Sequence, residues 1–392
     1  ACRVMVAPGT YREGELFIKD APGTPTILIA AEEPGTVVIS GSDLFTDWRP
    51  DGDTYRHEWD RDWGVNRHWW KEWGISMDPI ALRRENIWID GARQRQVMAE
   101  AALEPGTFYV DEEADALVLM PPAGIDPSRA TVEVSTRTYG LALINTRNVV
   151  LRGLIIQHFA NTIGLREGIR ILGDVNAGGT PLTLRQVRAV ILDDLTVREN
   201  NNAGLTLRNA EAVTLRRVDS SSNGGSGMNG GRLVDVLLDR CTANDNNWRG
   251  FMGGYVGWSV AGIKLTRLDG VTFDRLITNG NHCSGLWFDI WGQFIRLQEF
   301  ESIDNQLAGI NIEWQQGPIY IADSHIEGNG MGIALAAAAN VWIEQTRIIG
   351  NGTQFTMRRD KRTPMGNFVL KHNVIASQPE RIPGAHQAGN DK

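Results

Sequence analysis

The chain has few cysteines, no long apolar run and no excess of positive charge. Its three cysteines, Cys2, Cys241 and Cys283, cannot form a disulfide framework, and their spacing matches no zinc-binding pattern. No apolar run is long enough to cross a membrane, and no signal peptide is recognisable. A net charge of -8, with no basic block to offset it, argues against nucleic acid or an anionic membrane as a partner.

Length and turn content raise the question of how one chain of 392 residues forms its core. A single ordinary core stops growing below this length, so the chain is either several domains or a repeat whose core extends along an axis. The 43 glycines against 15 prolines indicate many turns rather than disorder. Internal repeats are therefore the first pattern to test.

A repeat is present, because seven apolar positions are each followed by an asparagine ten residues later. The apolar positions are Val190, Val213, Val236, Val271, Ile295, Ile319 and Val341, and the asparagines are Asn200, Asn223, Asn246, Asn281, Asn305, Asn329 and Asn351. Successive steps are 23, 23, 35, 24, 24 and 22 residues. The long step places an insertion between Asn247 and Ala261, and Gly173 to Gly179 is a similar insertion before Val190.

A period near 23 residues with short strands is typical of one coil of a parallel β-solenoid. Stacked coils lie ~4.8 Å apart, so an asparagine at the same turn of each coil can bond to the next in a ladder. This pattern resembles the right-handed parallel β-helix proteins of the pectin-lyase-like superfamily, over Val149 to Ser377 and the first forty residues. The predicted fold is all-β, a right-handed parallel β-helix.

The rhythm is interrupted once near the N-terminus. Residues 1–41 contain short β-rich runs separated by Pro-Gly turns, whereas 42–138 hold six of the thirteen tryptophans between Trp48 and Trp73. We interpret 42–138 as an inserted β-rich lobe whose tryptophans form its core or stack on sugars, with packing favoured. The main helix then occupies 139–378, and a polar tail, disordered by its composition, follows at 379–392.

The strand after each asparagine turn carries the candidate chemistry. Alternation directs Leu286, Phe288 and Ile290 inward and leaves Trp287 and Asp289 outside. A shift of 24 residues aligns Gly285 with Gly309 and places the next coil on the same pattern. Two outward columns result, and their members in coil order are Lys264, Trp287, Asn311, Ala334 and Thr266, Asp289, Glu313, Ala336.

Carboxylates on successive coils have backbones ~4.8 Å apart. This matches the ~5 to 5.5 Å carboxyl separation of retaining glycosidases and leaves no room for the water of an inverting enzyme. Like charges at that range favour one protonated and one ionised member, which supplies an acid and a nucleophile. Lys264, one coil earlier, would help keep Asp289 ionised.

The residues around the two acids add a second resemblance. Asp289-Ile-Trp-Gly-Gln293 and Glu313-Trp-Gln-Gln-Gly317-Pro318 are similar to the segment that carries the catalytic pair in the β-helical β-xylosidases of glycoside hydrolase family 120. The resemblance implies Asp289 as nucleophile and Glu313 as general acid/base. Gln316 stands where that family is expected to carry a histidine, so the sugar specificity stays open.

Further substrate contacts are expected around the acids. The candidates are Trp287, Lys264, Asn311, His282, Trp258, Trp291, Gln293, Gln316 and Arg208. Trp287 is expected to be an outward platform for a sugar ring, whereas Trp291 and Trp314 are expected to lie partly in the core. No metal-ligand pattern or cofactor is indicated, although a structural Ca²⁺ stays open.

Three alternatives stand beside the hydrolase. A polysaccharide lyase or a C-5 epimerase on a uronic-acid polymer would use Lys264 and Arg208 as its cationic groups. A non-catalytic carbohydrate-binding β-helix would use the aromatic residues alone, and the acids could also be ordinary surface residues. Each functional reading expects a carbohydrate partner and a secreted or periplasmic location, and the oligomeric state stays open.

Overall fold

The structure is a computed structural model that describes residues 2–21, 25–65, 74–162, 180–250, 256–359 and 365–377. Parallel strands stack coil upon coil along most of this length, which confirms the predicted right-handed parallel β-helix. The polar tail and the insertion from Gly173 to Gly179 lie outside the described residues. None of the helices in the described ranges is long and apolar enough to cross a membrane.

The strands are numbered in chain order. The first coils contain β1 Cys2–Val6, β2 Gly9–Tyr11, β3 Leu16–Ala21, β4 Ile27–Ala31 and β5 Val37–Ser40. The lobe contains β6 Ser42–Leu44, β7 Arg49–Asp51, β8 Thr54–Glu58, β9 Ile87–Ile89, β10 Ala92–Arg93, β11 Arg95–Gln96, β12 Thr107–Asp111, β13 Ala116–Met120 and β14 Val132–Ser135. The lobe also has 3₁₀ turns at Pro79–Leu82 and Glu100–Ala102.

The later coils contain β15 Leu141–Arg152, β16 Leu154–Gln157, β17 Leu182–Arg198, β18 Leu205–Asp219, β19 Met228–Asp239, β20 Ala261–Asp274, β21 Ser284–Asp289, β22 Gln293–Gln298, β23 Glu301–Ile303, β24 Ala308–Gln315, β25 Ile319–Ala322, β26 His325–Glu327, β27 Met331–Glu344, β28 Arg347–Ile349, β29 Thr353–Arg358, β30 Gly366–Lys371 and β31 Val374–Ala376. A one-turn helix, α1, spans Val256–Ser259.

Each coil has three faces joined by corners. The first face carries β21, β24 and the first halves of β20 and β27, the second carries β22, β25 and the second halves of the same long strands, and the third carries β23, β26 and β28. One apolar position per coil stacks through the interior of the first face as Leu182, Leu205, Met228, Ile263, Leu286, Ile310 and Ile333. All seven are buried, and each contributes about 1.5 to 3 kcal/mol.

The predicted asparagine ladder is confirmed. Each side-chain amide donates to the amide oxygen one coil on, from Asn200 through to Asn351, at 2.8 to 3.3 Å. Asn246 bonds Asn281 directly at 3.0 Å across the 35-residue step, so the insertion leaves the stacking unbroken. The seven side chains are buried, where a lost partner costs about 1 to 3 kcal/mol.

Two small sheets form the lobe, one antiparallel and one mixed, in which only the β11–β12 pair is parallel. One orders its strands β10-β9-β14-β6 and the other β11-β12-β13-β8-β7. Trp48 and Trp59 pack in the core between them with Phe108, so these two tryptophans serve packing. Trp69, Trp70 and Trp73 lie outside the described residues.

Arg249 fastens the lobe to the solenoid. Its guanidinium donates to Gln96 Oε1 at 2.7 Å, to Asn86 Oδ1 at 2.9 Å and to Asn201 Oδ1 on an asparagine turn. Burial lowers the pKa of this guanidinium, and Glu85 opposes that change. A second contact packs Ala81 of the lobe against Val260 and Cys283, directly before β21.

A buried carboxylate also joins lobe and solenoid and makes stability depend on pH. Burial alone would raise the pKa of Glu133, but the His158 ring at 3.6 Å and Arg12 at 2.7 Å lower it to about 2. Because the folded pKa lies below the ordinary 4.5, the stabilisation is complete above pH 4.5 and is lost as the pH falls toward 2.

We therefore expect Glu133→Gln to lower the free energy of unfolding at neutral pH by about 3 kcal/mol, with the difference vanishing in acid. Urea unfolding of both proteins at a series of pH values measures this. Glu104→Gln is the matched control, because its ion pair with Arg95 is exposed on both sides. A constant difference at every pH would contradict the expectation.

Candidate active site

The first face brings the two predicted acids into register. Asp289 at the end of β21 pairs with Glu313 in β24, and Thr266 in β20 pairs with Asp289 on the other side. Their outward position follows from the interior stack, since Leu286 and Phe288 are buried on the opposite side of β21. The acids therefore lie one coil apart, with their side chains 13% and 14% exposed.

Lys264 contacts two residues of the next coil, one in each column. Its Nζ lies 3.2 Å from Asp289 Oδ2 and 3.4 Å from the centroid of the Trp287 ring. Burial lowers the pKa of Lys264, while the charge of Asp289 acts in the opposite direction. The lysine is a buried partner of the acid rather than a solvated surface residue.

The expected role of Trp287 as an exposed platform is wrong. Its side chain is only 2% exposed, because the Lys264 ammonium lies over the ring. The buried indole N–H has no hydrogen-bond partner among the described residues. A buried donor without a partner is costly in free energy.

The acid column extends beyond the acids. Its members in coil order are Arg208, Gly231, Thr266, Asp289, Glu313, Ala336 and Arg358. Arg208 is three coils from Asp289, or ~14 Å between backbones at the normal strand spacing. Its Nη1 lies 3.4 Å from the position that a Cβ on Gly231 would take, so the guanidinium extends one coil toward the acids. A Cβ on Gly231 would lie 2.2 Å from Thr266 Oγ1, so glycine keeps the floor low between Arg208 and the acids.

Sequence reasoning missed Arg358. Its Nη2 lies 3.4 Å from Glu313 Oε1, and its side chain is 69% exposed. The signal was available, because Arg358 follows Ala336 by 22 residues, within the range of the coil period. Extending the column one more coil would have found this cation.

A corner separates the acids from several other predicted residues. Arg232, Arg267, Ile290 and Trp314 occupy it with φ between 52° and 58°, a left-handed conformation that turns side chains outward. Ile290 is half-buried at the corner, so the expected inward position is wrong. Trp291, expected partly in the core, is 56% exposed.

The remaining candidates are placed as follows. Asn311 pairs with Trp287 on the first face, two residues before Glu313. His282 precedes β21, so a whole strand separates it from Asp289, roughly 16 Å at ~3.3 Å per residue. Gln293 and Gln316 lie with Trp291 around the corner. The side chain of Trp258 lies outside the described residues.

The fold is a right-handed parallel β-helix with two stacked acids on the outside of its first face. Residues 130–295 and 182–351 match the family described as the right handed beta helix region. The matches together span more than half of the chain, and the chain belongs to this family. No curated protein matches the chain by sequence.

Solved structures share the fold at low identity. XylC, solved in complex with xylose, is 14% identical with a TM-score of 0.67, covering 91% of this chain and 64% of XylC. The chain thus spans less than two thirds of that protein. A structure described as a glycoside hydrolase is 10% identical with a TM-score of 0.53, covering 97% of this chain and 90% of that one. At these identities the likeness shows the fold.

Proposed function

We propose that this protein is a retaining glycoside hydrolase of the β-xylosidase type, acting on an oligosaccharide or polysaccharide. The register of Asp289 against Glu313 on neighbouring coils carries this proposal. Backbones ~4.8 Å apart suit double displacement and leave no space for the water of an inverting mechanism. The complex of XylC with xylose supports a xylose-like sugar ring as the first substrate to test.

In the first step an Asp289 oxygen attacks the anomeric carbon while the bond from that carbon to the leaving oxygen breaks. Glu313 gives its proton to the leaving oxygen, and a glycosyl ester on Asp289 results. In the second step water attacks the same carbon, Glu313 takes the proton of the water, and the ester bond to Asp289 breaks. Two inversions retain the anomeric configuration.

Lys264 supplies the electrostatics of this arrangement. Its ammonium, 3.2 Å from Asp289 Oδ2, favours the ionised carboxylate that must attack. The same ammonium lies 3.4 Å from the centroid of the buried Trp287 ring, so the indole and the carboxylate together hold the lysine in place. Because Lys264 is engaged by Asp289, the geometry favours a hydrolase over a lyase that would use Lys264 as its base.

The proposed reaction is tested with a panel of aryl glycosides, following the product by NMR. We expect hydrolysis of at least one β-glycoside, with the initial product in the β configuration. An initial α product would exclude retention. A product from a uronic-acid polymer that absorbs ultraviolet light through a new double bond would indicate a lyase, and an altered sugar in a chain of unchanged length would indicate an epimerase.

Lys264→Met is expected to lower kcat by about a hundredfold, because one preorganised charge beside the nucleophile is lost. The acid limb of the pH–rate profile should move to higher pH, since Asp289 then loses the ammonium that lies 3.2 Å from it. Arg358→Met is the matched control and should cost far less, because Arg358 is mostly exposed and its contact with Glu313 is 3.4 Å. Full activity in Lys264→Met would contradict the assigned role.

A further inference from the structure

A groove of about 790 Å³ lies around the corner from the acids, on the second face. We call it the corner groove, and its principal lining residues are Arg232, Arg267, Asp269, Trp291, Gln293 and Gln316. Asp269 and Gln293 are neighbours in the register of the second face. The groove therefore belongs to a different face from Asp289 and Glu313.

The side chains of the corner groove suit a sugar chain. Trp291 exposes 56% of its surface, and its ring centroid lies 5.8 Å from that of Trp314. A sugar ring can lie with its apolar side on such an indole. The amides of Gln293 and Gln316 both donate and accept hydrogen bonds, which matches the hydroxyl groups of a sugar.

Aromatic surface continues along the second face beyond the groove. Tyr320 and Trp342 occupy successive coils, and their rings stack with centroids 5.1 Å apart and planes 21° apart. Tyr320 follows Arg296 in the same column and is 47% exposed. The second face thus offers aromatic rings on three successive coils, beginning with Trp291.

The charged and uncharged residues that line the corner groove indicate which kind of ligand it would bind. Arg232 and Arg267 are cations, whereas Asp269 would repel a polyanion at the same place. The hydroxyl groups of a sugar find donors in the two arginines and acceptors in Asp269. The other eight of the eleven lining residues are uncharged, so stacking and amide hydrogen bonds dominate the lining, which suits an uncharged glycan.

We propose that the corner groove binds an uncharged oligosaccharide and acts as a second carbohydrate site beside the acid pair. The site uses neither Asp289 nor Glu313, so it goes beyond the proposed hydrolysis, and only the choice of a xylose-based probe rests on that proposal. A long chain held there would keep the protein on its polymer between encounters with the acids.

The test measures binding of xylohexaose by calorimetry and of insoluble xylan by sedimentation, in an Asp289→Asn background that prevents turnover. Adding Trp291→Ala is expected to weaken binding about tenfold, as loss of one aromatic platform does. Adding Phe294→Ala should change it less than about twofold. Phe294 is 58% exposed and does not line the groove, so it is the matched control.

Further variants separate this site from the acid pair. Adding Lys264→Met to the Asp289→Asn background perturbs only the acid pair, so it should weaken xylohexaose binding less than Trp291→Ala does. Equal weakening by Lys264→Met and by Trp291→Ala would overturn the proposal, because the chain would then bind at the acids. Salt-sensitive binding of a galacturonan oligosaccharide in preference to xylohexaose would overturn the choice of an uncharged glycan. Self-association that Trp291→Ala abolishes, without glycan binding, would reassign the surface to a second copy of the chain.

Discussion

Asp289→Asn is expected to lower kcat by roughly 10⁴-fold or more, with the fold intact. The amide preserves shape but cannot attack the anomeric carbon, so the covalent step is lost. In Asp289→Gly, which leaves space where the carboxylate was, added azide should restore turnover by attacking from that side, and the resulting glycosyl azide should have the inverted configuration. Kinetic assays measure the loss and the recovery of turnover, and NMR of the product gives its anomeric configuration.

Asp323→Asn is the matched control for this variant, because Asp323 is an exposed aspartate one coil further on. It should keep wild-type activity. Thermal unfolding of both variants should match the wild type, which separates loss of chemistry from loss of structure. Full hydrolysis by Asp289→Asn would remove Asp289 from the role of nucleophile.

Glu313→Ala is expected to lower kcat by about 10²- to 10⁴-fold on substrates with poor leaving groups, because no acid then protonates the departing oxygen. A dinitrophenyl glycoside needs no such proton, so its first step should proceed nearly normally and the glycosyl-enzyme should accumulate. Azide should speed the second step and give a glycosyl azide of retained configuration. The opposite outcomes for the two acids assign their roles independently.

Glu313→Gln tests the same loss with the side-chain volume kept. Glu344→Ala is the control, since Glu344 is exposed on the second face. Equal loss of activity on good and poor leaving groups in Glu313→Ala would show that Glu313 is not the acid. Burst kinetics with the dinitrophenyl glycoside provide the decisive measurement.

The register of the acid pair could be predicted from sequence, because it depends on two strong periods. The alternation of a strand fixes which side Asp289 faces, and the 24-residue step to Glu313 fixes which coil it meets. Both rules depend only on residues near in sequence or on the repeat, so they predict the register without the folded structure. The asparagine ladder was predictable for the same reason.

The depth of each side chain could not be predicted in this way. Trp287 faces outward as expected, but Lys264 from the preceding coil covers it, and exposure depends on such neighbours. Alternation also fails after Asp289, because Ile290 and Trp291 both adopt positive φ and the strand rule ends there. The alternation of side chains describes extended strands and does not predict this corner.

The contacts between the lobe and the solenoid could not be predicted from the sequence either. Arg249 bonds Asn86, which is 163 residues away in the chain, and no periodicity relates the two positions. The insertion from Asn247 to Ala261 was found only as an irregular step. Its hydrogen-bonding partners depend on how the lobe packs against the solenoid, and this is seen only in the folded structure.

Because nearly equivalent coils stack on one another, the length of this protein can change independently of its proposed active site. Lys264, Asp289 and Glu313 come from three consecutive layers. Gene duplication or loss of one entire layer outside this trio would lengthen or shorten the rod without moving the three groups relative to one another. Evolution can therefore adjust the reach of the rod while leaving its reactive centre untouched.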